Sequence, residues 1–187
     1  MLQEKTRGAQ PGKAALPPPK SGSAGFQACT EEEKLLITRR NLPHWQFPGS
    51  TYFVTFSLKS GILSENERKI VLDAIKHFHK VRYWITFAVV MPNHVHILLK
   101  PVVSESGADF SLSKIMQGIK GFSAREINKS RGAKGPLWIQ ESYDRIVRDH
   151  DEYIEKWAYI RDNPTRAELS QEPEEYAFFW EPGEPDE

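Results

Sequence analysis

The order in which strand-like and helix-like segments follow one another most constrains the fold of this chain. Segments rich in β-branched and aromatic residues predict strands, and apolar residues recurring three or four positions apart predict helices. They occur in the order strand, helix, strand, strand, helix, strand, followed by one more helix. The predicted strands cover residues 50–58, 83–91, 94–100 and 136–148, and the predicted helices cover residues 64–80, 109–130 and 149–162.

This order is typical of the ferredoxin-like split βαβ arrangement, which belongs to the α+β class. It predicts an antiparallel sheet with the first two helices on one face and the third strand near the centre. Because side chains alternate along a strand, Val95, Ile97 and Leu99 are expected to face those helices. His94 and His96 then face the opposite side, where the last helix is expected to cover them.

Composition divides the chain into three parts. Residues 1–37 form an arm rich in Pro, Gly, Ser and Lys, which predicts disorder. Residues 38–170 are predicted to form one domain, and residues 171–187 an acidic tail. The only cysteine, Cys29, lies in the arm, which excludes disulfides and thiolate zinc sites. With no apolar run of membrane-spanning length and no secretory signal pattern, we expect a cytoplasmic protein.

The neutral total charge conceals an asymmetry along the chain. Residues 34–166 contain 21 Lys and Arg against 13 Asp and Glu, a net charge of +8, whereas residues 167–187 contain eight acidic and no basic residues. A basic body predicts a polyanionic partner, and the acidic tail is expected to weaken non-specific contacts with it. A merely solvated surface is an equally ordinary interpretation of such a charge.

Two pairs of histidines are separated by one residue. His94 and His96 lie in "VVMPNHVHILLK", where extended geometry places both imidazoles on one side of a strand. His77 and His79 lie in a segment with helical periodicity, about 200° apart around the axis, and are not expected to chelate a metal. An isolated H-x-H pair in a strand is also typical of buried structural histidines, and two imidazoles alone leave a metal short of ligands.

The last predicted helix offers a third ligand and a nucleophile. With Trp157 as reference, an apolar stripe forms on one side of the helix, and Tyr159 and Asn163 lie nearly opposite it on a shared face. The stripe contains Tyr153, Ile154, Ile160 and Arg161. The Asn163 amide oxygen is a candidate metal ligand, and the Tyr159 hydroxyl is a candidate for attack on a phosphate. An exposed tyrosine and an asparagine before proline are also common at helix ends. Pro164 is expected to stop the helix and to disfavour helical geometry at Asn163.

These motifs together resemble those of single-tyrosine HUH transposases, and most closely the REP-associated tyrosine transposases of bacteria. The resemblance extends from about residue 39 to residue 169, and the joint presence of M-P-N-H-V-H and Y-I-x-x-N-P is its most specific part. The matching stretches are "RRNLPHWQFPGSTYFVTFSL", "VVMPNHVHILLKP", "LSKIMQGIKGFSAREIN", "LWIQESYDRIVRD" and "YIRDNPTRAEL".

The resemblance implies a metal-dependent endonuclease and strand transferase that acts on single-stranded DNA folded as a palindromic hairpin. It implies that His94 and His96 bind the metal, that Asn163 completes the metal site, and that Tyr159 forms a 5′-phosphotyrosine bond. The metal is expected to be Mg²⁺ or Mn²⁺, since imidazole binds Mn²⁺ more tightly but magnesium is more available in cells. The oligomeric state stays open, with a homodimer as one option.

Two questions stay open at the level of sequence. Candidate phosphate contacts on the basic surface are Lys100, Lys120, Arg125, Arg145 and Arg148, each of which is also explained as solvated surface.

A histidine-triad hydrolase is excluded because Leu98 stands where a third alternating histidine is required. A catalytically inactive, domesticated nucleic-acid-binding regulator with the same fold remains the alternative to an active enzyme.

Overall fold

A computed structural model describes residues 36–39, 43–47, 49–102 and 110–182 of the chain. Most of the expected N-terminal arm, including Cys29, and residues 183–187 of the expected tail lie outside these ranges. Within them, the strands are β1 (Leu36–Arg39), β2 (Pro43–Gln46), β3 (Tyr52–Ser57), β4 (Tyr83–Val90), β5 (His94–Pro101), β6 (Tyr143–Ile146) and β7 (Phe179–Trp180). The α-helices are α1 (Glu65–Lys76), α2 (Leu112–Arg131) and α3 (His150–Arg166), and a short 3₁₀ helix covers Pro173–Glu175.

The main sheet has five antiparallel strands in the order β6-β3-β5-β4-β7. Strands β3, β4, β5 and β6 with helices α1 and α2 reproduce the predicted ferredoxin-like order, with β5 in the centre. The hairpin of β1 and β2 forms a separate two-stranded sheet. Strand β1 begins at Leu36, two residues before the expected start of the domain.

Each face of the main sheet packs against different helices. On one face, buried residues such as Val54, Ile97, Val71 and Ile115 form a core with α1 and α2. On the other face, a smaller core that includes Phe53, Phe87 and Leu98 packs against Ile160 of α3. The alternation of side chains along β5 therefore separates the two faces as predicted, and α3 covers the histidine side.

The first helix begins as the sequence predicts, with Ser64 and Glu67 forming a reciprocal capping box. The Glu67 carboxylate also binds Arg131 of α2, with Nε to Oε1 and Nη2 to Oε2 distances of 2.5 and 2.8 Å. This contact joins the start of α1 to the end of α2. The hydrogen bond from Arg131 lowers the pKa of Glu67 to about 2.

Three predicted boundaries are wrong. Helix α1 ends at Lys76 rather than Lys80, so His77 and His79 lie beyond the helix in a turn where Lys80 adopts a left-handed φ of 67°. The fourth strand of the predicted order is short, since Lys120 binds the backbone oxygens of Ile139 and Gln140 and draws this stretch toward α2. Helix α3 continues past Pro164, which is buried, to Arg166. Proline removes one backbone donor, and here the loss falls in the last turn, two residues before the helix ends.

Part of the expected acidic tail is folded onto the domain. Strand β7 pairs with β4, and the Tyr176 hydroxyl donates a 2.8 Å hydrogen bond to the Val90 carbonyl. Glu174 forms an ion pair with Arg161 of α3. Residues up to Pro182 therefore belong to the folded unit. No helix in the described part of the chain is long and apolar enough to cross a membrane.

Candidate active site

His94 and His96 lie on the central strand β5, with their ring centroids 4.7 Å apart. His77 and His79 have other partners: the His77 ring contacts Phe78, and His79 Nδ1 accepts a 3.0 Å hydrogen bond from the Ile85 backbone. The first pair shares one face of the sheet as predicted. His79 instead holds the turn between α1 and β4 in place.

Each site histidine has a partner for its Nδ1 atom. His94 Nδ1 lies 2.7 Å from Asn93 Oδ1, and His96 Nδ1 lies 2.7 Å from Thr55 Oγ1. Thr55 is directly opposite His96 in the pairing of β3 with β5. Such contacts fix the orientation and tautomer of an imidazole and direct its other nitrogen toward a ligand. In the described part of the chain, His96 Nε2 is buried and has no hydrogen-bond partner.

Both imidazoles are in an environment that favours the neutral form. Burial lowers the pKa of His96 to about 3, and the neighbouring His94 contributes in the same direction. Burial also lowers the pKa of His94, although a hydrogen bond to the Asn163 side chain partly offsets this effect. Neutral imidazole is the form that binds metal ions.

Helix α3 places Tyr159 and Asn163 beside this histidine pair. The Tyr159 ring centroid lies 5.2 Å from that of His96 and 6.0 Å from that of Phe53, and the side chain of Asn163 is hydrogen-bonded to His94. The buried residues of α3 are Glu152, Ile160 and Pro164. The predicted stripe around Trp157 was therefore off centre: the sheet-facing side is centred nearer Ile160. Tyr159 lies at the edge of that side rather than opposite it, which is why its ring contacts His96.

Exposure distinguishes the tyrosines. Tyr52, Tyr83 and Tyr176 are buried, whereas Tyr143 and Tyr159 are 52% and 40% exposed. The sixth, Tyr153, is half-buried against the smaller core. Tyr159 is the one whose ring contacts a site histidine within the described residues.

Basic side chains surround the open side of this cluster. Arg145 and Arg148 both bind the carboxylate of Glu152, which is buried, at 2.5 and 2.9 Å. Lys156 Nζ lies 5.8 Å from the Phe53 ring centroid, and the Arg166 guanidinium lies 5.8 Å from that of Tyr159. Glu152 and Glu155 neutralise part of this charge, and the remaining excess of positive charge makes this face of the domain suited to an anionic ligand.

The other three predicted phosphate contacts lie elsewhere. Lys100 is on the histidine face but four residues beyond His96, about 13 Å along the strand. Lys120 and Arg125 lie on α2, behind the opposite face of the sheet. Because Lys120 Nζ donates to two carbonyls and to Ser142 Oγ, it holds a loop in place. The structure therefore groups Arg145 and Arg148 with the histidines and separates Lys120 and Arg125 from them.

The sequence profile of the IS200-like transposases matches residues 58–163, which is more than half of the chain and includes both histidines, Tyr159 and Asn163. The chain belongs to the IS200-like transposase family. No curated protein sequence matches the chain.

The fold is similar to that of one solved transposase structure. A REP-associated tyrosine transposase bound to a REP hairpin is similar with a TM-score of 0.58 and 21% identity, over 71% of this chain and 76% of that one. A putative transposase from Deinococcus radiodurans has a TM-score of 0.41 and 18% identity, over 66% of this chain and 96% of that one. The resemblance inferred from the sequence motifs is thus confirmed, by the profile in sequence and by the first structure in fold.

The residues of this IS200-like transposase fit a divalent metal. No third His, Cys, Asp or Glu joins His94 and His96 within the described residues, so the remaining protein ligand must be of another type. The amide oxygen of Asn163 is a candidate ligand of another type, and His96 Nε2 is buried without a hydrogen-bond partner among the described residues. Two imidazoles and one amide would leave coordination positions open for phosphate oxygens and water.

Sequence reasoning missed several side chains at the transposase site. Thr55 could be found only from the register of β3 on β5, which the sequence does not reveal. Lys156 and Arg166 are ordinary charged residues of α3, and their role depends on which face of the helix meets the sheet. Asn93 had a usable signal, because it directly precedes His94 in the matching motif.

Proposed function

We propose that this protein is a metal-dependent transposase that cuts and rejoins single-stranded DNA through a covalent bond to Tyr159. The observation that carries the proposal is the convergence of two neutral, oriented imidazoles, an amide and an exposed phenol on one face of the sheet. A structural role explains buried histidines. It does not explain why a large exposed tyrosine, three arginines and one lysine lie around them.

The proposed reaction is a transesterification. The Tyr159 oxygen attacks the scissile phosphorus and forms a bond to it, and the bond between phosphorus and the 3′ oxygen breaks. The phenol proton passes to solvent, and the 3′ oxygen takes up a proton and leaves as a hydroxyl. Attack by the 3′ hydroxyl of a DNA strand on the 5′-phosphotyrosine reverses these steps and rejoins DNA.

The residues around Tyr159 have separate tasks in this proposal. Asn93 and Thr55 orient the two imidazoles. His94, His96 and the Asn163 amide would hold Mg²⁺ or Mn²⁺, and a bound ion would supply Lewis-acid polarisation of the phosphate. Arg145, Arg148 and Lys156 attract the phosphates on either side of the cut.

The proposed substrate is a palindromic hairpin with an unpaired extension. Support comes from the similar fold of a REP-associated transposase that binds a REP hairpin. Further support comes from the basic side chains beside the exposed Tyr159, which suit the phosphate backbone of a nucleic acid. Salt dependence is expected, because phosphate contacts release counterions.

The test is incubation of the protein with labelled palindromic hairpins that carry unpaired 5′ and 3′ extensions, with and without Mg²⁺. Cleavage that requires the metal, with a covalent protein–DNA product, is expected. Tight hairpin binding without cleavage in either Mg²⁺ or Mn²⁺ would favour the alternative of an inactive DNA-binding regulator.

A further inference from the structure

We infer that Tyr143 is a stacking platform for one unpaired base of the DNA strand that Tyr159 cuts. The inference rests on the proposed function, which it deepens by assigning a contact for the nucleotide next to the reacting phosphate. It does not concern the chemistry of the cut itself.

The register of the sheet places Tyr143 on the same face as the site histidines. Tyr143 pairs with Thr55 of β3, and Thr55 pairs in turn with His96 of β5. Directly paired residues project to the same side of a sheet, and two strand spacings amount to about 10 Å. Tyr143 is thus about 10 Å from the histidine site across the sheet, close enough to contact a nucleotide that neighbours a phosphate bound there.

The Phe53 ring contacts Tyr143 as well as the rings of His96 and Tyr159. The Phe53 ring stacks on His96 at 5.6 Å with an interplanar angle of 17°. The same ring meets Tyr143 at 6.4 Å and Tyr159 at 6.0 Å, in both cases nearly edge to face. Tyr143 is held in position by this contact but is still 52% exposed, so core packing alone does not account for a large aromatic side chain here.

A fixed positive charge lies beside the exposed ring. Arg145 is hydrogen-bonded to Tyr143 and also binds the Glu152 carboxylate, whose side chain is only 6% exposed. Arg148 binds the second oxygen of the same carboxylate. One buried carboxylate therefore holds two guanidinium groups next to an aromatic platform. An aromatic face with an adjacent cation is the usual combination for binding a base and its phosphate in single strands.

This arrangement selects for an unpaired nucleotide. Bases in a hairpin stem are already stacked and paired, so their faces are not available to Tyr143. A base in the unpaired extension has no pairing partner and can turn one face toward Tyr143. The platform would therefore bind the strand at the junction between stem and extension and present the adjoining phosphate to Tyr159.

The test uses Tyr159→Phe protein, so that binding is measured without cleavage. The probes are hairpins with the fluorescent base 2-aminopurine at each unpaired position in turn, because stacking quenches its fluorescence. We expect quenching at one position, its loss in a second variant that also carries Tyr143→Ala, and its retention with Tyr143→Phe or Tyr143→Trp. Phe122→Ala is the matched control, since Phe122 is a similarly exposed aromatic residue on α2, behind the other face.

Affinity provides a second readout. Loss of one base stack is expected to weaken binding about tenfold. Tyr143→Ala and an abasic site at the quenched position should each have this effect, and the two together should weaken binding no further. Quenching that is unchanged by Tyr143→Ala at every position would overturn the inference, as would fully additive losses.

Failure of the proposed function is distinguishable from failure of the platform. If wild-type protein cuts no hairpin while quenching still depends on Tyr143, the platform stands and the catalytic proposal falls. If wild-type protein cuts hairpins and quenching does not depend on Tyr143, only the platform falls. If neither the wild-type protein nor the Tyr159→Phe variant binds the hairpins, both proposals are contradicted.

Discussion

At the scale of single residues, the contact between His96 Nδ1 and the Thr55 hydroxyl on the neighbouring strand sets the orientation of the His96 ring. Strand alternation was sufficient to predict that His94 and His96 share a face. It was not sufficient to identify Thr55, because a shift of one residue in the β3–β5 register would have placed Val54 or Phe56 opposite His96. Register depends on the packing of both faces, which no local sequence signal contains.

The hydroxyl of Thr55 is expected to determine how well the site binds a metal. Thr55→Val keeps the shape of the side chain but removes the partner of His96 Nδ1, so affinity for Mn²⁺ should fall by about 10–100-fold. Isothermal titration calorimetry measures this directly. Binding should be absent from a His94→Ala, His96→Ala double variant and unchanged in His77→Ala. Wild-type affinity in Thr55→Val would show that His96 is oriented by other contacts.

At the scale of elements, helix α3 was predicted in place and its stripe residues Tyr153, Trp157 and Ile160 do pack toward the sheet, but the centre of the buried side was misplaced. Its apolar residues suggested a centre at Trp157, whereas Glu152 and Pro164 are buried along with Ile160. Hydrophobicity could not reveal this, because Glu152 is buried by virtue of its two arginine partners. The end of the helix was misjudged for a related reason, since Pro164 packs inward and the helix continues past it.

The contact between α1 and α2 provides a prediction about pH. Glu67 has a folded-state pKa of about 2 against an ordinary value of 4.5, because Arg131 binds its charged form. Its contribution to stability is therefore fully present above about pH 4.5 and is lost as the pH falls toward 2. Since Arg131 is 32% exposed and partly screened, we expect Glu67→Gln to lower the free energy of unfolding by on the order of 1–2 kcal/mol at pH 7.

Urea unfolding at pH 7 and at pH 3 tests this. The difference in unfolding free energy between wild type and Glu67→Gln should shrink markedly at pH 3. Glu65→Gln is the matched control, because Glu65 lies in the same helical turn but is 84% exposed, and it should change stability by only a few tenths of a kcal/mol. If Glu67→Gln lowers the free energy of unfolding by the same amount at pH 7 and at pH 3, the low folded-state pKa of Glu67 is contradicted.

At the scale of the whole molecule, the order of elements correctly predicted the four-strand arrangement of β6, β3, β5 and β4. Short connections between neighbouring elements leave few alternatives for this order. The fifth strand, β7, could not be predicted in the same way. It is two residues long in an acidic segment, and it pairs with β4 because Phe179 packs against Phe87 and Tyr176 binds Val90.

Two truncations separate the charge of the C-terminal segment from its packing. Removal of all residues after Gln171 deletes β7 and Tyr176, so the melting temperature should fall by about 5–10 °C. Removal of residues 183–187 deletes three acidic residues and no described contact. This shorter truncation should keep the melting temperature and tighten binding to non-specific single strands at low salt. Thermal unfolding and fluorescence anisotropy measure the two effects, and equal melting temperatures for both truncations would contradict the structural role of β7.

The most direct test of the catalytic account is mass spectrometry of the protein–DNA adduct formed with a hairpin and Mg²⁺. The account predicts that the DNA is attached to Tyr159, and that Tyr159→Phe, which loses only a hydroxyl, binds the hairpin with wild-type affinity but forms no adduct and cuts no DNA. Tyr143→Phe, which removes the hydroxyl of the other exposed tyrosine, should still form the adduct. DNA attached to Tyr143, or cleavage that persists in Tyr159→Phe, would contradict it.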